Sequence, residues 1–192
     1  MLVAALLATS SFAQSAKSVL DKAAATVTAA SGVRANFSMT TTTGGTNGTI
    51  AIKGKKFYAT TPQAKVWFDG KTQWTYLKNN DEVNVSNPTE AQLQAINPYN
   101  FINLYKRGYT YTMNTAGTDY VIHLTANSGE RKIKELFISV NKKNYQPTQV
   151  KMLQGKKWTT FNITSIKKEN IADSQFRFNS KDFPKAEIID LR

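Results

Sequence analysis

The spacing of apolar residues changes period once along this chain, near Gly32. Before it, Ala16, Val19, Leu20, Ala23, Val27 and Ala30 recur at helical spacing and form one stripe. Ser15 is the expected N-cap, and Ser31-Gly32 ends the helix. After it, Val33, Ala35, Phe37 and Met39 alternate with Arg34, Asn36, Ser38 and Thr40, the pattern of a half-buried strand. Gly44 to Gly48 reads as a hairpin turn, and Thr49 to Lys53 returns with Ile50 and Ile52 on one face. Short strands follow over Lys55 to Thr60, Lys65 to Phe68, Thr72 to Leu77 and Glu82 to Ser86. Gly54, Pro62, Asp69-Gly70 and Asn79-Asn80 separate them.

Residues 87–107 interrupt the alternation. Asn87 is placed to cap a helix with Pro88 at its first position and Glu90 in its first turn, reaching Ile96. Asn97-Pro98 repeats the start signal, and a second short helix carries Phe101, Ile102, Leu104 and Tyr105. Strands resume over Gly108 to Met113, Asp119 to Thr125, Lys132 to Val140, Pro147 to Leu153 and Lys157 to Lys167. The tail adds an alternating piece, Phe176-Arg177-Phe178, and a last short strand near Ala186 to Leu191.

The pattern predicts a mainly β (α+β) fold: about eleven antiparallel strands, an N-terminal helix and a short helical insertion. Threonine occurs 23 times, which suits strands. No linker or repeat divides residues 14–192, so they are expected to form a single domain. One sheet this long must curl or close.

Composition narrows the chemistry. The 192 residues include 25 Lys and Arg against 13 Asp and Glu, for a net charge of +12, with one histidine and no cysteine. Absent cysteine excludes disulfides, thiolate catalysis, iron–sulfur clusters and Cys-ligated zinc. A single histidine excludes a multi-histidine metal site. His123 lies between Ile122 and Leu124 and reads as a strand residue. No Ser or Asp stands at triad spacing, and no pair of carboxylates suggests a hydrolase. The expectation is a binding protein without metal or cofactor, not an enzyme.

The N-terminus reads as a secretory signal. Leu2 to Ala8 is almost wholly apolar, and Ser11-Phe12-Ala13 offers a small-x-small cleavage site. Residues 1–13 are therefore expected to be removed. The run is far shorter than the ~20 residues that span a bilayer. No Lys or Arg precedes it, which fits a start lying a few residues inside the full signal. No cysteine follows the cleavage site, so no lipid anchor is expected there. Export without cysteine fits a bacterial periplasm, and that location argues against nucleic-acid binding by the basic, aromatic-bearing strands.

Lys65-Val66-Trp67-Phe68-Asp69-Gly70-Lys71-Thr72-Gln73-Trp74-Thr75-Tyr76 resembles the central signature of the LolA family, periplasmic carriers of outer-membrane lipoproteins. Other pieces follow in the family's order. The amphipathic helix leads into a strand containing Phe37, and Asn97 to Leu104 falls where the family places part of its lid. Ile171-Ala172-Asp173-Ser174-Gln175-Phe176-Arg177-Phe178 resembles the family's closing segment.

The resemblance implies a half-open antiparallel barrel with helices as a lid and an apolar space that takes acyl chains. It implies an acylated lipoprotein or lipid cargo, an inner-membrane release complex, an outer-membrane acceptor and a monomeric carrier. The cavity residues it suggests are Phe37, Met39, Ile50, Ile52, Val66, Phe68, Trp74, Tyr76, Ile122 and Leu124. The lid residues are Leu20, Val27, Leu93, Ile96, Phe101 and Leu104. Which sheet face is concave stays open, with Trp67 and Tyr58 as the alternatives. Where better-known members carry an Arg-Pro that latches the lid, this chain reads Lys53-Gly54-Lys55-Lys56-Phe57. Lys55 or Lys56 is the candidate replacement, although an ammonium does not reproduce a guanidinium fork. The basic doublets suggest an anionic membrane surface or an acidic partner. A similar half-barrel could also serve as a lipoprotein sensor or receptor-type module.

Overall fold

The computed structural model describes residues 15–28, 30–89, 92–93 and 104–192. Helix α1 covers Ala16–Val27, with the Ser15 hydroxyl accepting from the Ser18 N–H at 3.2 Å. Gly32 then takes φ +116° with its α-carbon against Ile171, so that a Cβ there would sit 2.8 Å from that side chain. The strands are β1 (Val33–Thr41), β2 (Gly44–Lys53), β3 (Lys56–Thr60), β4 (Ala64–Phe68), β5 (Gln73–Leu77) and β6 (Glu82–Ser86). Then come β7 (Tyr109–Ala116), β8 (Asp119–Ala126), β9 (Ile133–Asn141), β10 (Pro147–Gln154), β11 (Lys157–Lys168) and β12 (Glu187–Asp190).

All twelve strands form one sheet in the order β12-β6-β5-β4-β3-β2-β1-β11-β10-β9-β8-β7. Two meanders, β1–β6 and β7–β11, are joined where β1 pairs with β11. The sheet is not closed, and the architecture is a mostly β, half-open barrel.

Three details depart from the sequence reading. The first hairpin turns at Thr42-Thr43, because the Thr41 hydroxyl accepts from the Thr43 N–H and donates to the Gly44 carbonyl. Gly44 to Gly48 therefore lies inside β2. Gly48 serves the strand pairing instead: a Cβ there would meet the Phe37 ring at 2.5 Å and the Thr60 carbonyl at 2.6 Å. Phe176 ends a short 3-10 turn, Asp173–Phe176, and is not part of a strand. The last strand, β12, pairs parallel to β6.

The C-terminal segment between β11 and β12 straps the outer face of β1–β5. Ile171 and Phe176 are fully buried there with Ala51, and the partly buried Tyr58 packs against them. The Trp67 ring meets Phe178 and Phe183 edge-on at 5.5 and 5.6 Å. Ion pairs pin the strap: Arg34 to Glu169 at 2.7 Å, and Lys53 and Lys56 to Asp173 at 3.0 and 2.9 Å. The Lys53 ammonium also donates to the Ile171 carbonyl at 2.9 Å.

Hydrogen bonding from Lys56, then from Lys53, holds the Asp173 carboxyl below its ordinary range. Arg34 does the same for Glu169. A depressed folded pKa means that the stabilisation is complete above the ordinary carboxylate value and is lost as pH falls through the depressed one. Acidification below 3.8 is therefore expected to loosen the strap, shifting the emission of Trp67 to the red. Asp173→Asn should remove part of that transition. An emission spectrum indifferent to pH in this range would show that packing alone holds the strap.

Candidate functional site

Cross-strand register sorts the sheet residues onto two faces. Val33 and Ala35 of β1 stand opposite Ile52 and Ile50 of β2, and Ile52 stands opposite Phe57 of β3. Phe57 faces Phe68 of β4. On the other side of β1, Phe37 stands opposite Ile163, and Met39 opposite Phe161. The row continues through Val150, Ile138 and Ile122, and beside it through Met152, Leu136 and Leu124. These residues make one apolar inner face running from β4 to β8.

The inner face has two halves. Over β7–β11, α1 lays Val19, Leu20, Ala23 and Val27 onto Ile122, Leu124, Leu136, Ile138 and Val150, and all of these are buried. Over β1–β4, Ala35, Ile50, Ile52, Phe57 and Phe68 form a second buried cluster, with Phe37, Ala59, Val66 and Ile163 packed around it. Among the described residues, Leu93 is the one member of this second cluster from outside the strands. Ile166 touches both halves and makes them continuous.

The face turns polar at β5. Gln73 stands opposite Phe68, is 7% exposed, and donates from Nε2 to the Thr75 hydroxyl at 3.2 Å. Its Oε1 is buried without a partner. Neighbouring Thr72 is equally buried and donates to Asn87 Oδ1 at 3.0 Å.

A second contact ties α1 to residues 104–105. Leu104 and Tyr105 are buried beside the helix, and the Tyr105 hydroxyl donates to Asp21. Burial, then the Asp21 hydrogen bond, pushes the Tyr105 phenol far above its ordinary range. Lys17, then Tyr105, lowers the Asp21 carboxyl. Tyr105→Phe removes one hydrogen bond to a charged group, so it should raise the opening of α1 roughly ten- to hundredfold. Native-state hydrogen exchange of residues 16–27 reads this directly, and unchanged protection would assign the tie to packing alone.

The structure places Phe37, Met39, Ile50, Ile52, Val66, Phe68, Ile122 and Leu124 on the inner face. It does not bring Trp74 and Tyr76 there. Trp74 stands opposite Trp67, and Tyr76 opposite Lys65, on the outer face; the Tyr76 ring lies 4.6 Å from Phe183 of the strap. The reason is the even spacing of Trp74 from Tyr76 and the odd spacing of both from Gln73, which pairs with Phe68. Trp67 and Tyr58 share this outer face, with rings 5.4 Å apart. Leu20, Val27 and Leu104 lie in the helix-covered half, and Leu93 in the other. Ile96 and Phe101 lie outside the described residues.

Neither lysine considered as a latch reaches the lid side. Lys56 faces outward onto Asp173, and Lys55 is an exposed turn residue. Sequence reasoning missed Phe57, Leu136, Ile138, Val150 and Phe161, although strict alternation in Leu136, Ile138 and Val140 carried the signal. His123 is on the outer face, stacked 4.1 Å from Phe137 and 2.9 Å from Glu135. No helix among the described residues is long and apolar enough to cross a membrane.

An unclosed antiparallel sheet with a helix laid across an apolar inner face defines a half-open, lidded β-barrel. The family of "Outer membrane lipoprotein carrier protein LolA" matches residues 7–156, and the chain belongs to that family. Among solved structures, an uncharacterized conserved protein from Thermus thermophilus is similar with a TM-score of 0.62 at 13% identity, over 92% of this chain and 99% of that one. The Pseudomonas aeruginosa MucA/MucB complex is similar with a TM-score of 0.51 at 13% identity, over 85% of this chain and 60% of that one. A LolA superfamily protein from Nitrosomonas europaea aligns with a TM-score of 0.49 at 12% identity, over 86% of this chain and 99% of that one. No curated protein sequence matches the chain.

Proposed function

We propose that the protein is a non-enzymatic periplasmic carrier. Its inner face takes the acyl chains of lipoproteins, or of related lipids, and it ferries them from the inner to the outer membrane. Residues 1–13 would serve as the export signal, and residues 14–192 would work as a single carrier domain, as a monomer. A release complex at the inner membrane would load it, and an acceptor at the outer membrane would unload it.

The observation that supports this reading best is the continuity of the apolar inner face across both halves, with a helix over one of them. Each methylene buried there contributes about 0.8 kcal/mol, so even part of an acyl chain gains several kcal/mol. The gain is offset by separating α1, or the side chains around Leu93, from the sheet. Loading is reversible when these terms nearly balance. No bond is made or broken, and no metal or cofactor is needed. The unpartnered Gln73 Oε1 at the polar end suits an N–H donor on the cargo, such as an acyl amide.

Native mass spectrometry on protein released gently from the producing cell's envelope tests the proposal. A 1:1 adduct with an acylated lipoprotein is the expected result, and transfer of that cargo to acceptor membranes would follow. A bare protein that also refuses a fluorescent acyl probe would overturn the carrier reading. Cargo retained without transfer would favour a sensor or receptor-type binding module.

A further inference from the structure

One rim of the sheet gathers lysines that no carboxylate neutralises, and we propose that this rim docks the protein onto an anionic phospholipid surface. It is the end where β1 begins and β11 finishes, with Val33 opposite Lys168. Antiparallel alternation brings the β4/β5, β2/β3 and β9/β10 turns to the same end. Along the sheet, the β4/β5 turn presents Lys71 and the β2/β3 turn Lys55. The end of β11 presents Lys167 and Lys168, and the β9/β10 turn Lys142 and Lys143. Lys22 of α1 reaches the same turn, its ammonium 4.5 Å over the Tyr145 ring. From the β4/β5 turn to the β9/β10 turn the arc is about 30 Å, at ~4.8 Å per strand.

The acids at this end are already engaged. Glu169 holds Arg34, and Asp173 holds Lys53 and Lys56. Asp69 lies 3.4 Å from Arg177, and Asp190 pairs with Arg192. Asp119 accepts from the hydroxyls of Thr148 and Thr118. Lys55, Lys71, Lys143, Lys167 and Lys168 are exposed, and among the described residues none of them lies within ion-pair distance of a carboxylate. At the opposite end the β8/β9 and β10/β11 turns carry Arg131, Lys132, Lys156 and Lys157, but the cations thin out across β1 to β6, so the basic arc there is shorter. Thr42-Thr43 and Thr61 to Gln63 carry no charge, and the β5/β6 turn sets Lys78 beside Asp81.

The partner is a lipid surface and not a protein, on two grounds. Protein interfaces favour Arg and aromatic anchors at their centre and are depleted of Lys. This rim offers flexible, strongly hydrated ammonium groups spread along an arc, with neighbouring potentials overlapping within a Debye length of about 10 Å. Laterally mobile anionic headgroups can gather beneath such an arc, whereas a rigid acidic surface would need matched positions. Docking on this rim sets the strands end-on to the membrane. The inference stands apart from the carrier reading, since a protein that took no acyl chain would dock in the same way.

Two triple variants of identical net charge test it. One is Lys55→Glu with Lys71→Glu and Lys168→Glu. The other, at the opposite end, is Lys132→Glu with Lys156→Glu and Lys157→Glu. Each is sedimented with phosphatidylcholine vesicles and with vesicles that also contain phosphatidylglycerol. Each lysine near such a surface contributes about fivefold to partitioning, so the rim variant should lose at least a hundredfold on the anionic vesicles at low ionic strength. The opposite variant should lose under tenfold, and plain phosphatidylcholine should separate none of the proteins. Residues 1–13 are common to all of them and cancel in the comparison. Equal losses from the two variants would overturn the proposal in favour of net charge alone. Wild-type binding that ignored phosphatidylglycerol would overturn it outright, and so would a rim effect seen only with an acidic protein partner.

Discussion

Val66→Glu and Ile52→Glu will each weaken binding of a fluorescent acyl probe about a hundredfold, whereas Trp74→Ala will leave it unchanged. The contrast follows from register. Ile52 and Val66 lie on the inner face with Phe57 and Phe68, while Trp74 lies behind the same strands beside Trp67. A glutamate on the inner face keeps its hydration and denies the chain three or four methylenes. At about 0.8 kcal/mol each, that is close to 3 kcal/mol, or two decades in affinity. Val66 is only half-buried, so its variant is expected to fold even if that at the fully buried Ile52 does not. Titration of the probe, with circular dichroism as the control for folding, reads the result. Loss of binding on Trp74→Ala with none on Val66→Glu would place the acyl site on the strapped face.

Phe176→Ala will destabilise the protein by about 3–5 kcal/mol without changing probe affinity below the unfolding transition. Phe176 is 0% exposed, in a cluster with Ile171 and Ala51. Truncation leaves a cavity beneath a segment otherwise held by Ile171, by Phe178 and Phe183 against Trp67, and by partly exposed ion pairs that each contribute little. Such a loss is a large fraction of a total of about 5–15 kcal/mol. Urea denaturation gives the change in stability, and the probe titration shows whether the inner face is disturbed. A loss below about 1 kcal/mol would mean that the strap is peripheral and that the sheet is stable without it.

Most of the architecture was legible in the chain itself. The stripe from Ala16 to Val27 marks a helix because every third or fourth residue must face the sheet. The alternation in Val33 to Met39 and in Leu136 to Val140 marks strands with one buried face. The Lys65–Tyr76 segment pointed to the family, and the family match bears that out. Period two says that Val66 and Phe68 share a face and that Trp74 and Tyr76 share a face. It does not say whether these are the same face, because that depends on how many residues the intervening turn takes out of register. The Asp69–Thr72 turn pairs Phe68 with Gln73, and so sends Trp74 to the back.

The aromatic strap shows the same limit. Phe176 and Phe178 read as an alternating piece of the tail, yet with Phe183 they cover the outer face of β2–β5, where Lys53, Lys56 and Arg34 also project and pair with Asp173 and Glu169. The parallel pairing of β12 and the join of β1 to β11 are likewise contacts between distant segments, which local pattern cannot encode. The sequence by itself determined element type, the apolar character of each strand and the excess of lysine. Only the tertiary structure decided which face lies under α1, which acids neutralise which cations, and that Lys55, Lys71, Lys143, Lys167 and Lys168 share one rim. Those outcomes depend on register and long-range pairing, and a residue's neighbours in the chain do not specify either.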